Sequence, residues 1–294
     1  AQVKSVDQPG HLPVWVSGDA LDGGTVSIPG DISSQYVSAL MMIGPYLPEG
    51  IRLQLTSPLV SRPYVAITAS VMSSFSATGI AIGDHTIGVE SSGYIGTTYD
   101  IESDASSASY PLAAAAIAGG SVKVLGVGDR ALQGDAAFIE VLESMGCTTR
   151  TTDRSLEVTS SGSLHGIEID MADMSDLVPT LAVVAAFADS PTRITGVGFI
   201  RHKESDRIGD LVNGLKMVGC DAVEEDDGIL IRPVHESQMH GAELLTHDDH
   251  RLAMAWSLLA LRISGIVIDD PEVVSKSWPE WWDVRSSLLV VAAK

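Results

Sequence analysis

Positive charge is scarce in this chain: 18 Lys and Arg stand against 38 Asp and Glu, a formal net charge of −20 at pH 7. That balance argues against nucleic acid and anionic membranes as partners. Cysteine is nearly absent, and two residues so far apart make neither a disulfide framework nor a zinc site. The eight histidines are scattered, with no close pair beyond His247 and His250, so no metal is expected. Long hydrophobic runs are also missing. The most apolar stretches, 112–117 and 177–188, are too short or too interrupted to span a bilayer, and no segment reads as a secretory leader. A soluble, cytoplasmic protein is expected. What the chain does have is apolar bulk: 45% hydrophobic residues over 294 positions suffice for one large core or two ordinary ones.

Self-similarity is the strongest internal signal. Four times an apolar helix-like stretch is followed by a β-type run and a polar loop. The β-type runs begin near Gly50, Ser121, Pro191 and Gly265, spaced by 71, 70 and 74 residues. The stretches before them are 33–47, 105–119, 175–188 and 249–263, each opening on small or polar residues as a capped, buried helix should. A second helix recurs inside the unit at 136–145 and 206–218, each ending at a glycine, with a weaker copy at 65–78 that stops at Gly79. Alternating helices and strands predict an α/β protein. Cys147 and Cys220 follow the closing glycines Gly146 and Gly219, so both occupy one architectural slot and read as small core residues. Residues 1–27 fit the scheme poorly: 14–16 and 24–28 look like strands of a unit whose earlier part is absent. With Ala1 in place of a starting Met, this points to processing or a fragment.

Polar residues recur at equivalent places. At the first helix of each unit lie Asp31, Ser33, Ser34 and Gln35; Asp104, Ser106 and Ser107; Asp173 and Asp176; and Asp248, Asp249, His250 and Arg251. Helix N-termini suit phosphate or carboxylate. The bland alternative is that these side chains only cap; it is preferred for Ser106, Ser107 and Asp248, and stays open for Asp176. The loop after each strand carries a basic residue: Arg62, Arg130, the run from Arg201 to Arg207, and Lys276. With Arg251, these cations could ring a site for a ligand with several negative charges. Glu204 and Asp176 are carboxylates able to split acid and base roles.

The segments Lys203-Glu204-Ser205-Asp206-Arg207, Asp249-His250-Arg251 with Ala253-Met254-Ala255, Val274-Ser275-Lys276-Ser277-Trp278-Pro279, Gly30-Asp31-Ile32-Ser33-Ser34-Gln35 and Asp104 to Tyr110 strongly resemble signatures of the 5-enolpyruvylshikimate-3-phosphate synthase family. The resemblance runs in order from about Val14 to the end. It implies an inverse α/β prism: two similar domains, each of three βαβαββ units about a pseudo-threefold axis, with substrates bound between them. Here the expected division is an incomplete amino-terminal domain over 1–100 and a carboxy-terminal domain of about three units over 101–294. The reaction implied is transfer of the enolpyruvyl group of phosphoenolpyruvate to the 5-hydroxyl of shikimate 3-phosphate, with release of phosphate and without a cofactor.

Carried over by resemblance, Ser33, Ser34, Gln35, Ser61 and Lys203 would hold shikimate 3-phosphate. Gln35, Arg207, Arg251 and Lys276 would hold phosphoenolpyruvate. Asp176 would accept the 5-hydroxyl proton and Glu204 would protonate the methylene carbon. Two positions depart from the family: Phe199 stands where a polar residue is common, and Ser103 replaces a common glycine. The amino-terminal third, with its Lys-Ser and Asn-Gly-Thr segments and an Arg, has no equivalent here. The chain alone is therefore expected to be inactive, and its incomplete domain to expose apolar surface and self-associate. Two other readings are the related transferase acting on UDP-N-acetylglucosamine, which generally uses a reactive loop Cys, and a non-catalytic anion-binding fragment of a split protein.

Overall fold

The computed structural model describes residues 2–18 and 21–290. These fall into two compact units, Ala1–Asp100 and Ile101–Lys294.

In the first unit, β1 (Gln2–Ser5) pairs antiparallel with β2 (Val14–Ser17). One complete βαβαββ repeat follows: β3 (Gly24–Ile28), α1 (Ser34–Ile43), β4 (Ile51–Leu55), α2 (Arg62–Ser74), β5 (Ala81–Ile82) and β6 (Thr86–Val89). The sheet order is β3-β4-β6-β5, with β3 parallel to β4 and the other pairings antiparallel. Strand β4 alternates strictly: Ile51, Leu53 and Leu55 are buried, Arg52 and Gln54 exposed. That period of two lays its apolar side on the small core that includes Val37, Met41, Val65 and Ile87.

The second unit contains α3 (Ala105–Ala118), β7 (Gly120–Leu125), α4 (Phe138–Ser144), β8 (Thr148–Thr152) and β9 (Ser155–Ser160). It continues with β10 (Glu168–Asp170), α5 (Val178–Ala185), β11 (Thr192–Thr195), α6 (Arg207–Met217), β12 (Asp221–Glu225) and β13 (Gly228–Arg232). Then come β14 (Glu243–Leu244), α7 (His250–Leu259), β15 (Val267–Ile268) and α8 (Trp281–Val290). The middle repeat has sheet order β10-β11-β13-β12, with the parallel and antiparallel pairings of the first unit's sheet. The 70-residue period is thus a repeat of topology as well as of pattern.

Helices α3, α5 and α7 pack on one another at the centre of this unit. All eight residues of α5 are buried, as are nearly all of α3 and α7. A helix that is apolar all round belongs in such a place. The second helix of each repeat is amphipathic instead, and α6 buries Ile208, Leu211, Val212 and Leu215. In the first unit α1 buries only Ser34, Val37 and Met41, leaving Tyr36, Met42 and Ile43 exposed.

The cysteine slot has a physical origin. After α4, the amide of Cys147 reaches the carbonyl of Leu142 and that of Gly146 the carbonyl of Glu143; after α6, Cys220 reaches Leu215 and Gly219 reaches Lys216. This is a Schellman stop, with the glycines at φ 102° and 88°. Both thiols are buried beyond it. After α2 the stop is Ser76 at φ 68°, ahead of the expected Gly79, and Ala77 fills the slot. Two other boundaries differ from expectation. Residues 172–177 form a 3-10 turn before α5, and β15 is only two residues long.

Candidate functional site

Four short elements of the second unit bring charged side chains together. Helix α6 starts at Arg207 because Asp206 caps it, accepting from the amide of Gly209 at 3.1 Å. Helix α7 starts at His250 because Asp249 caps it, accepting from the amide of Arg251 at 2.9 Å. The chain enters that cap through His247 and Asp248, both left-handed at φ 51° and 58°. Non-glycine residues hold such a conformation only when neighbours impose it. Here Asp269 accepts from the amide of Thr246 and the carbonyl of Thr246 accepts from Asp249. The 3-10 turn Ala172–Leu177 carries Asp176, and the 3-10 turn Pro271–Lys276, capped by Asp270, ends on Lys276.

Arg207 is the hub, with its side chain 1% exposed. Its Nε donates to Asp249 Oδ2 at 2.7 Å, Nη1 to Asp176 Oδ1 at 2.9 Å, and Nη2 to Glu204 Oε2 at 2.6 Å. Arg251 Nη2 donates to Asp176 Oδ2 at 2.7 Å. Lys276 Nζ donates to Glu204 Oε1 at 2.9 Å, and Lys203 Nζ lies 3.8 Å from Asp176. Four cations thus face three carboxylates, a surplus of one positive charge.

The surplus sets the protonation states. Burial would raise the carboxyl of Asp176, but the charges of Arg251, Lys203 and Arg207 outweigh it and hold the group at about 2. Burial would also raise Glu204, yet the Lys276 hydrogen bond and the Arg207 charge bring it to about 2. Both are ionised at neutral pH. His250, buried beside Asp249, is pushed down by burial and by Arg251 and is therefore neutral.

Of the expected site residues in this unit, the structure brings together Asp176, Lys203, Glu204, Arg207, Arg251 and Lys276. The other expected cations have partners within their own units. Arg130 pairs with Asp153 on the surface, and Arg62 pairs with Asp84 in the first unit. Arg201, although in the densest basic run, turns away to Glu224 and the carbonyl of Glu225 on β12. Ser107 bonds to the cap Asp104, and Ser106 to the buried Asp135, so Asp104 is the cap and the serines support it. One residue quoted in a family signature was given no role. The buried Tyr110 on α3 lies beside Arg251, and burial raises its hydroxyl to about 12. A lone tyrosine in a helix of small residues was the available signal. Phe199 places its ring 6.0 Å from Lys203 Nζ.

In the first unit, Ser33 caps α1 and accepts from the amide of Gln35 at 3.2 Å. The loop before α1 is bonded to the loop before α2: Val60 donates to Gly30, and Ser57 takes the amides of Gly30 and Asp31. Gly30 has no room for a side chain there, since a Cβ would sit 2.7 Å from the carbonyl of Ser57. Ser33, Ser34 and Gln35 therefore stand at the start of one helix, and Ser61 at the start of its neighbour. Ser61 is left-handed at φ 53°, and its buried hydroxyl has no hydrogen-bond partner among the described residues. Also among the described residues, no group of three His, Cys, Asp or Glu could hold a metal, and no helix is long and apolar enough to cross a membrane.

The profile of EPSP synthase (3-phosphoshikimate 1-carboxyvinyltransferase) matches residues 1–284. A 3-phosphoshikimate 1-carboxyvinyltransferase of Methanoculleus marisnigri is 43% identical over 277 residues, covering 94% of this chain and 65% of that protein. One of Nostoc punctiforme is 39% identical over 274 residues, covering 93% and 64%. The chain therefore spans about 65% of the length of such curated relatives. Among solved structures, an EPSP synthase of Acinetobacter baumannii superposes with a TM-score of 0.76 at 28% identity, over 98% of this chain and 67% of that one. The enolpyruvyl transferase NikO of Streptomyces tendae shares the fold, with a TM-score of 0.71 at 17% identity over 90% of this chain and 64% of that one. The repeated βαβαββ architecture is the enolpyruvyl transferase fold, and by the match along nearly its whole length the chain belongs to the EPSP synthase family.

Proposed function

We propose that this chain carries the carboxy-unit machinery for transferring the enolpyruvyl group of phosphoenolpyruvate to the 5-hydroxyl of shikimate 3-phosphate in the cytoplasm. The observation that carries the reading is the cluster around Arg207, where four cations surround two carboxylates held ionised at about 2. Arg207, Arg251 and Lys276 would take the phosphate and carboxylate of phosphoenolpyruvate. Lys203, with Ser33, Ser34, Gln35 and Ser61, would take shikimate 3-phosphate, the orphan hydroxyl of Ser61 gaining an acceptor.

The ion pairs suggest how the acid and base are set. An incoming anion competes with Glu204 and Asp176 for the same guanidinium and ammonium groups. As those cations turn to the ligand, both carboxyls rise from about 2. Glu204 can then carry a proton and deliver it to the methylene carbon, which places positive character on the neighbouring carbon. Asp176 takes the 5-hydroxyl proton as that oxygen adds to the electron-poor carbon. The tetrahedral adduct expels phosphate and returns a methyl proton to Glu204, restoring the double bond. Fixed cations that hold the developing charge are typically worth about 3 kcal/mol each.

The related transferase on UDP-N-acetylglucosamine fits less well. Both thiols are buried, and burial raises them, Cys220 to about 11. The chain by itself is proposed to bind anions without turnover, and to self-associate through the exposed apolar face of α1. The test is phosphate release from phosphoenolpyruvate with shikimate 3-phosphate. It is run on this chain alone and on the chain fused to the part of the Methanoculleus marisnigri relative outside the match. Release by the fusion and not by the chain supports the reading, and failure of both refutes it.

A further inference from the structure

A cavity of ≈ 410 Å³ lies in the second unit between α7, β15, the turn Pro271–Lys276 and α8. Its walls include Ala260, Ile266, Ile268 and Trp282, with Glu272 and Arg285 as the charged members. None of them belongs to the cluster around Arg207.

Arg285 is the unusual member. The fold takes Arg201, Arg207, Arg251, Arg262 and Arg285 at least partly out of solvent. The first four each hold a carboxylate. Arg285 holds none among the described residues, in a chain with twice as many acids as bases. Its Nε donates to the carbonyl of Ser257 at 3.0 Å, which helps clamp α8 to α7. Trp281 Nε1 shares that clamping by donating to Ser257 Oγ, and Trp282 Nε1 ties α8 to the turn by donating to the carbonyl of Pro271. The clamp uses one of the five guanidinium N–H groups, and among the described residues the planar pair of terminal nitrogens has no partner. Burial lowers the Arg285 pKa, and no carboxylate among the described residues opposes it. A partly desolvated guanidinium without a counter-ion is costly, and a bound anion relieves the cost.

The geometry points to a second ligand site here, for a small organic monocarboxylate with an apolar body about the size of one ring, its carboxylate on Arg285. An apolar wall with one convergent cation is the usual make-up of a small-molecule pocket, and the volume suits such a ligand. The guanidinium fork matches a carboxylate in two-point fashion. Glu272 on the same wall repels a second negative charge, so inorganic phosphate and other polyanions are disfavoured. This chemistry differs from that of the Arg207 cluster, whose several cations suit a polyanion.

The experiment is calorimetric titration of the chain with 3-phenylpropanoate and, separately, with inorganic phosphate. The titrations are repeated on Arg285→Met and on Ala260→Trp, which fills the cavity from the exposed end of α7 and leaves Arg285 in place. Thermal melts show that each variant is folded. A dissociation constant of about 1 mM or tighter is expected for the carboxylate. Each substitution should weaken it about 10-fold or more. No binding to the unsubstituted chain would overturn the proposal, as would binding unchanged in the folded variants, or phosphate binding at Arg285 as tightly as the carboxylate.

Discussion

Arg207 Nε donates to Asp249 Oδ2 at 2.7 Å, and the two side chains are 1% and 0% exposed. The pair links the first residue of one helix to the cap of another, in adjacent repeats and 42 residues apart in sequence. Asp249 also caps α7, so it carries two duties. Replacing it by Asn keeps the cap but leaves the guanidinium short of a charge. Breaking a buried pair from one side costs about 3–5 kcal/mol. Asp249→Asn should lower unfolding stability by about 3 kcal/mol in urea titrations, and Arg207→Met should do the same. The double variant should lose less than the two losses added, because each single change strands the other charge.

Stability should also fall in acid with a defined sign. Asp176 and Glu204 sit at about 2 in the folded chain, against ordinary values of 3.8 and 4.5. Depressed folded-state values mean that the unfolded chain binds more protons in this range. The stabilisation is fully present above about pH 4.5 and is lost as pH falls towards 2. For the buried Asp176 it amounts to about 2 kcal/mol. Urea unfolding of Asp176→Asn between pH 2 and pH 6 should show a weaker pH dependence than the unsubstituted chain. Equal dependence would show that Asp176 is not held ionised.

Exchange of partners at the cluster predicts proton uptake. If phosphoenolpyruvate draws Lys276 and Arg207 away from Glu204, the carboxyl rises and takes up a proton on binding. Calorimetry in two buffers of different ionisation enthalpy reads this directly. Uptake should shrink in Glu204→Gln, and Lys276→Met should weaken binding about 100-fold.

The thiols should be inert. Cys147 and Cys220 lie behind Schellman stops, and burial raises both. An aromatic disulfide reagent should therefore label them only as fast as the chain opens, with the rate rising through the urea transition. Rapid labelling of the native chain would place a reactive thiol at the surface.

Much of this was legible in the residues. The 70-residue spacing survived because helix cores and strands repeat their periodicity, and the two complete sheets repeat their order as well. The cysteine slots followed from the glycine stops. Charge partners were harder to read. Arg201 and Arg207 are six positions apart, yet one turns to β12 and the other is buried against Asp249, a choice made by long-range packing. Asp249 was visible as a helix start, but nothing local linked it to Arg207. Tyr110 was hidden in a helix whose small residues speak only of close packing. The short β15 has too few residues to leave a period.

The most direct measurement is phosphate release from phosphoenolpyruvate and shikimate 3-phosphate by the fusion with the Methanoculleus marisnigri segment, with and without Glu204→Gln. Turnover that falls about 100-fold or more in the folded variant, while shikimate 3-phosphate still binds, is the predicted result. Undiminished turnover in Glu204→Gln would contradict the acid role, and no release by either form would contradict the transferase assignment.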